Sequence, residues 1–201
     1  MSASPSSQSV PSLRDRLRAD TREAHEALDA SFAGMFADAT GTRYARFIAM
    51  NRAAHAAIDP VLAASPLAGL KDEEAPADRL DAAHRDALAL GLAPAPPVRF
   101  PLPGPDLFEA FGIAYVLEGS RLGAKYMLRA IKIDQRTDDV RWPTDYLEAS
   151  SDARPFTRLL DRMAAERADE PAIRRAVEAA DVTFRFFRSL CGDDDKRTTR
   201  A

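Results

Sequence analysis

From Ser12 to Leu190 apolar residues recur every three or four positions, and no run of alternating β-branched residues interrupts them. That spacing predicts an all-α chain. Ser12, with Asp15 three places on, forms the pattern of a capping box, after which Leu13, Leu17, Ala24 and Leu28 mark one helix reaching Asp29. A second helix is expected after Gly41 with Thr42 as its cap and Tyr44, Phe47, Ile48 and Ile58 on one face; Asp59-Pro60 should end or kink it. A third spans Ala77 to Leu90 and stops at Gly91. Pro94, Pro96, Pro97, Pro101, Pro103 and Pro105 then forbid regular structure and predict a long connector. A fourth helix runs from Pro105 to Ile133, and a variable segment with Trp142, Pro143 and Tyr146 follows. The last two helices carry Phe156, Leu159, Leu160 and Met163, and then, beyond Asp169 and Pro171, Ile173, Val177, Ala180, Phe184 and Phe187.

The fourth helix breaks an ordinary preference. Gly112, Gly119 and Gly123 lie inside it, and each glycine costs a helix interior roughly 1 kcal/mol relative to alanine. At ~100° per residue their spacings of seven and four put all three within about 40° on one side. A trench without side chains results, suited either to a neighbouring helix or to a flat ligand that approaches the main chain.

Composition narrows the class. The chain has 201 residues, 46% apolar and 29% charged, the balance of one globular domain with a continuous core. A net charge of -3 gives nucleic acid no electrostatic handle. One cysteine, Cys191, allows no internal disulfide, which suits a reducing, cytoplasmic setting. No apolar run approaches the ~20 residues of a membrane helix. Residues 1–11, rich in Ser and Pro, and the polar residues 192–201 are expected to be flexible tails around a domain spanning 12–191.

Three histidines are the candidates for metal or heme ligation. His25 stands at the border of the first apolar stripe, with Arg18 and Arg22 seven and three positions earlier on nearly the same side. An imidazole on an apolar face, with guanidinium groups one and two turns away, suits a planar apolar macrocycle that bears carboxylates. A histidine in such a place is in general more often a core or surface residue than a ligand. His55 and His84 have no comparable surroundings and are expected to be structural or exposed.

The segment Leu13-Arg-Asp-Arg-Leu-Arg-Ala-Asp-Thr-Arg-Glu-Ala-His-Glu-Ala-Leu-Asp29 resembles the proximal helix of heme oxygenases, and Tyr115-Val-Leu-Glu-Gly-Ser-Arg-Leu-Gly-Ala124 resembles the glycine-bearing distal helix of their bacterial branch. That branch includes enzymes that partner bacteriophytochromes and enzymes of iron acquisition. The two motifs agree in order and spacing, and the likeness extends from Ser12 to Leu190. It implies a heme oxygenase-like helical fold with heme between a proximal and a distal helix. His25 is then the iron ligand, and Gly119 and Gly123 are the distal backbone positions over the heme. Arg18 is implied as the first propionate partner and Arg22 as a weaker one, with Arg158 and Arg162 as basic residues of a later helix. Animal members carry an aspartate just after the first distal glycine; Ser120 stands there here.

The implied reaction is oxidative cleavage of heme, at once cofactor and substrate, to biliverdin, carbon monoxide and ferrous iron. Electrons come from a ferredoxin or a flavoprotein reductase, and a bacteriophytochrome is an acceptor for the biliverdin. A neutral imidazole gives no thiolate push, and the distal segment has no histidine, while Arg121 points away from the glycines; an acid pair for splitting the O–O bond is therefore missing. Alternatives are a heme-storing or heme-sensing protein of the same fold, a thiaminase-type relative with a cysteine nucleophile, for which Cys191 is badly placed, and a helical interaction module.

Overall fold

The computed structural model describes residues 12–38, 40–68, 78–94, 96–134 and 142–191. Its helices are α1 (Leu13–Asp20), α2 (Arg22–Ala30), α3 (Thr42–Ala63), α4 (Arg79–Ala89), α5 (Leu107–Asp134), α6 (Asp145–Ser150), α7 (Arg154–Ala165) and α8 (Glu170–Leu190), with one 3-10 turn at Met35–Ala37. The fold is all-α, with no strand among the described residues. None of the described helices is long and apolar enough to cross a membrane. The expected tails and Ala77 lie outside the described residues.

Polar side chains start these helices where the sequence places them. Ser12 and Asp15 form the expected capping box of α1. Asp78 caps α4 by accepting from Leu80 N at 2.8 Å, and Asp169 caps α8 by accepting from Ala172 N at 2.9 Å. At the start of α5, Asp106 accepts from Phe108 N and Glu109 N while Glu109 accepts from Asp106 N, a reciprocal arrangement that satisfies three main-chain donors. Gly91, at φ 67°, closes α4: Leu92 N donates to Ala87 O at 2.9 Å and Gly91 N to Leu88 O at 3.0 Å, the paired bonds of a Schellman motif.

Three expectations are corrected. The first helix is divided at Thr21, which leaves the helical φ/ψ region (φ -102°, ψ 5°); its buried hydroxyl donates to Leu17 O at 2.7 Å, beside the main-chain bond to the same oxygen at 3.1 Å. Thr42 is the first residue of α3 and not its cap. Gly41 holds the cap position at φ 70° with no side chain, and the carboxylate of Asp38 takes Arg43 N at 2.9 Å instead. Gly41 is also where Trp142 packs: a methyl on Gly41 would stand 3.0 Å from the indole. Pro60 does not end α3, which continues past it to Ala63. The carbonyl that its missing N–H leaves unpaired belongs to exposed Ala56, where water can reach it.

The variable segment also contains α6, a helix too short for periodicity to reveal. Tyr146 and Leu147 are fully buried there, and Asp86 of α4 accepts from Asp145 N and Tyr146 N at 3.0 and 2.9 Å. α8 is the central element: α5 packs along it, and α1, α2 and α3 also rest on it. α4 lies on α3 and α6, and α7 on α5 and α1. The connector after Gly91 stays irregular, as its prolines dictate, and drops Phe100 into the core edge-on to Phe186 at 5.2 Å.

Candidate functional site

The three glycines of α5 have different surroundings. A methyl on Gly112 would come within 2.0 Å of Ala176 O and 3.1 Å of Ala180 N, so here bare backbone serves close packing of α5 on α8. A methyl on Gly119 would touch only the Phe156 ring at 3.8 Å, and one on Gly123 would meet nothing within 4 Å. The trench therefore divides into one packed glycine and an open stretch around Gly119 and Gly123.

The open stretch shares a face with Tyr115, one turn before Gly119. Tyr115 packs on Phe156 of α7, ring centroids 5.7 Å apart, and its half-buried hydroxyl lies within electrostatic range of Arg14 and Arg18 of α1. Burial pushes the Tyr115 pKa up, and the two guanidinium charges oppose that. Arg14 and Arg18 of α1 are thus the charges that act on Tyr115, one turn before Gly119. From the Gly112–Ala176 crossing, Gly119 and Gly123 stand about 10 and 16 Å further along α5, and Phe184 about 12 Å further along α8.

Phe184 is the ring against which His25 rests, edge-on at 5.9 Å. The imidazole is 59% exposed, and its Nδ1 lies 3.2 Å from Asp29 Oδ2, one turn on. A carboxylate at that distance favours the proton on Nδ1 and leaves the Nε2 lone pair for a ligand, as carboxylates do behind metal-bound imidazoles.

The basic residues separate. Arg18 lies within electrostatic range of Tyr115. Arg22, exposed like Arg18, lies 3.5 Å from Glu26. On α7, Arg162 is bound to Glu166 at 2.8 Å, and Arg158 is half-buried. Ser120 is exposed and donates its hydroxyl to Leu117 O at 2.7 Å. Phe156, beside Tyr115, and Asp29, beside His25, were not singled out in the sequence. For Asp29 the spacing of four from His25 was a readable signal, whereas Phe156 reads only as core.

On the opposite side of α5 the structure holds buried polar groups. Glu118 accepts from Arg79 Nη2 at 2.6 Å and from Arg121 Nε, and Arg121 also donates to Ala149 O at 3.2 Å. Arg121 does point away from the glycines, and its guanidinium binds α6 to α5. Beside it, Tyr146 donates to Asn51 Oδ1 at 2.7 Å and touches His55, whose Nδ1 is 3.1 Å from Asp59 Oδ1. His55 is fully buried and His84 exposed, the roles expected for them. Cys191 is half-buried with its sulfur 3.3 Å from Met50 Sδ, and burial raises its pKa, the opposite of what a nucleophilic thiolate needs.

The chain is an all-α protein in which His25, accessible on α2, rests on Phe184 of α8, and α5 carries two glycines, Gly119 and Gly123, with no close neighbour packed against them. No protein-family model matches the chain, and no curated protein matches it.

Proposed function

We propose that the chain is a heme oxygenase of the bacterial, biliverdin-producing type. The observation that carries this reading is the open stretch of α5 at Gly119 and Gly123, while Gly112 alone is consumed by packing; Arg14 and Arg18 of α1 lie within electrostatic range of Tyr115, one turn before Gly119. The residues present fit a heme. His25 offers Nε2 with Asp29 behind Nδ1, Phe184 gives an apolar edge beside the imidazole, and the bare main chain allows a flat ring to approach closely.

Within this reading each group has a definite task. His25 ligates, and Asp29 orients the ring. Arg18, with Arg14 beside it, pairs with carboxylates at the ligand's edge, Tyr115 borders them, and Arg22, tied to Glu26, takes a lesser part. Arg158 and Arg162 of α7 remain the candidates for a second carboxylate contact. Gly119 and Gly123 keep side chains off the distal face, and the Ser120 hydroxyl, anchored on Leu117 O, is available as an acceptor for ordered water. Bound heme supplies the iron that activates dioxygen, and its own ring is what is cleaved. Electrons come from a ferredoxin or flavoprotein reductase, and a bacteriophytochrome can receive the biliverdin.

Titration of the purified chain with hemin tests the proposal. A Soret band should develop with Kd ~1 μM or tighter, about 8 kcal/mol or more, and His25→Ala should abolish or displace it. Ascorbate or a reductase with oxygen should then convert the complex to bile pigment. A stable complex that yields no pigment would indicate heme storage or sensing, and no Soret band would exclude heme altogether.

A further inference from the structure

A pocket of about 360 Å³ opens between α3, α4 and the proline-rich connector, on residues that take no part in the proposed His25 site. Its walls are apolar: Ala53 and Ala56 of α3, Leu88 of α4, and Pro96 and Pro97 of the connector. Two residues of its lining carry polar groups, Arg52 and His84. Arg52 is only 7% exposed. It makes one hydrogen bond, from Nη2 to Ala93 O at 2.7 Å, which leaves most of its five donors unused. No carboxylate among the described residues lies within ion-pair distance of it. The only acid of α3, Asp59, is held by His55 at 3.1 Å, and Asp86 of α4 is engaged by the main chain of α6.

A guanidinium removed from water without a counter-ion is costly, and its planar fork matches a carboxylate. The apolar walls would cover a hydrocarbon body. We propose that this pocket binds a small apolar carboxylate, with its anionic end on Arg52 and its body between Ala56, Leu88 and the connector prolines. The volume stands near the lower end of small-molecule sites, roughly 300 to 1,000 Å³, and suits a ligand on the order of ten non-hydrogen atoms. The C–H faces of Pro96 and Pro97 on one wall suit packing against an aryl ring.

The probe is 4-phenylbutyrate, titrated calorimetrically into the full chain beside its uncharged primary amide. The acid should saturate the protein with sub-millimolar affinity, and the amide should bind about ten-fold more weakly or worse, because it forfeits the charge-assisted bonds to Arg52. Ala56→Phe, which fills the pocket from an exposed helix position, should abolish acid binding while leaving thermal unfolding and hemin binding unchanged. Arg52→Gln should remove the preference for acid over amide. Equal affinities for acid and amide, undiminished binding to Ala56→Phe, or no saturable binding up to about 10 mM would each overturn the assignment.

Discussion

Gly112 and Ala176 meet backbone to backbone: a methyl on the glycine would come within 2.0 Å of the Ala176 carbonyl oxygen. Eleven residues on, the same helix face is bare and open at Gly123. One residue type thus serves two purposes along α5, closing the core at one place and exposing main chain at another.

Substitution with alanine separates the two. Gly112→Ala forces α5 off α8 and should cost about 1–3 kcal/mol or more. Gly123→Ala relieves the glycine penalty in an open helical position and should raise stability by about 0.5–1 kcal/mol. Urea unfolding monitored by circular dichroism measures both, and a Gly112→Ala variant as stable as the parent would contradict the packing described. Gly119→Leu and Gly123→Leu should fold normally and lose hemin affinity.

Glu118 sits between two guanidinium groups that are each almost wholly buried, bonded to Arg79 at 2.6 Å and to Arg121. Glu118→Gln leaves two buried cations uncompensated, a loss of about 3 kcal/mol. Glu166→Gln breaks the exposed pair with Arg162 and should cost less than about 1 kcal/mol. Chemical denaturation of the two variants side by side should show this ranking.

His55 gives acid sensitivity. Desolvation by burial, and then the positive charge of Arg79, hold its pKa below the ordinary 6.5, against the opposing pull of Asp59 and Glu118. The folded chain therefore keeps this imidazole neutral, whereas the unfolded chain takes a proton below 6.5. The stability tied to this group is fully present above 6.5 and is lost as pH falls from there through the lower folded value. Urea midpoints at about pH 7.5 and about pH 5.5 should fall more steeply for the parent than for His55→Gln.

Asp29 stands behind the imidazole that the proposed heme oxygenase uses as its ligand. Asp29→Asn should leave heme binding in place but weaken it about ten-fold, the lower end for such partners because the pair is exposed to water. The iron–imidazole stretching band should move to lower frequency. An unchanged band would separate Asp29 from the ligand.

Much of the architecture is written locally. Apolar periodicity, the Ser12–Asp15 box, Asp169 before Pro171, Gly91 and the run of prolines specify helices, ends and connector through interactions within a few residues, and these are what a linear pattern can display. His25 and the glycines of α5 were visible in the same way, as residue types out of keeping with their positions. Contacts between distant segments decided the rest. Arg18 and Arg22, seven and three positions before His25, end beside different partners, Arg18 within electrostatic range of Tyr115 and Arg22 on Glu26. The backbone of Ala176 claims Gly112 and leaves Gly119 and Gly123 open, although all three share one face. α6 owes its place to the Asp86 carboxylate some sixty positions earlier, and Arg52 lies buried against Ala93 across the connector. No spacing rule reaches such pairs, because their energy arises only when remote stretches of chain exclude water between them.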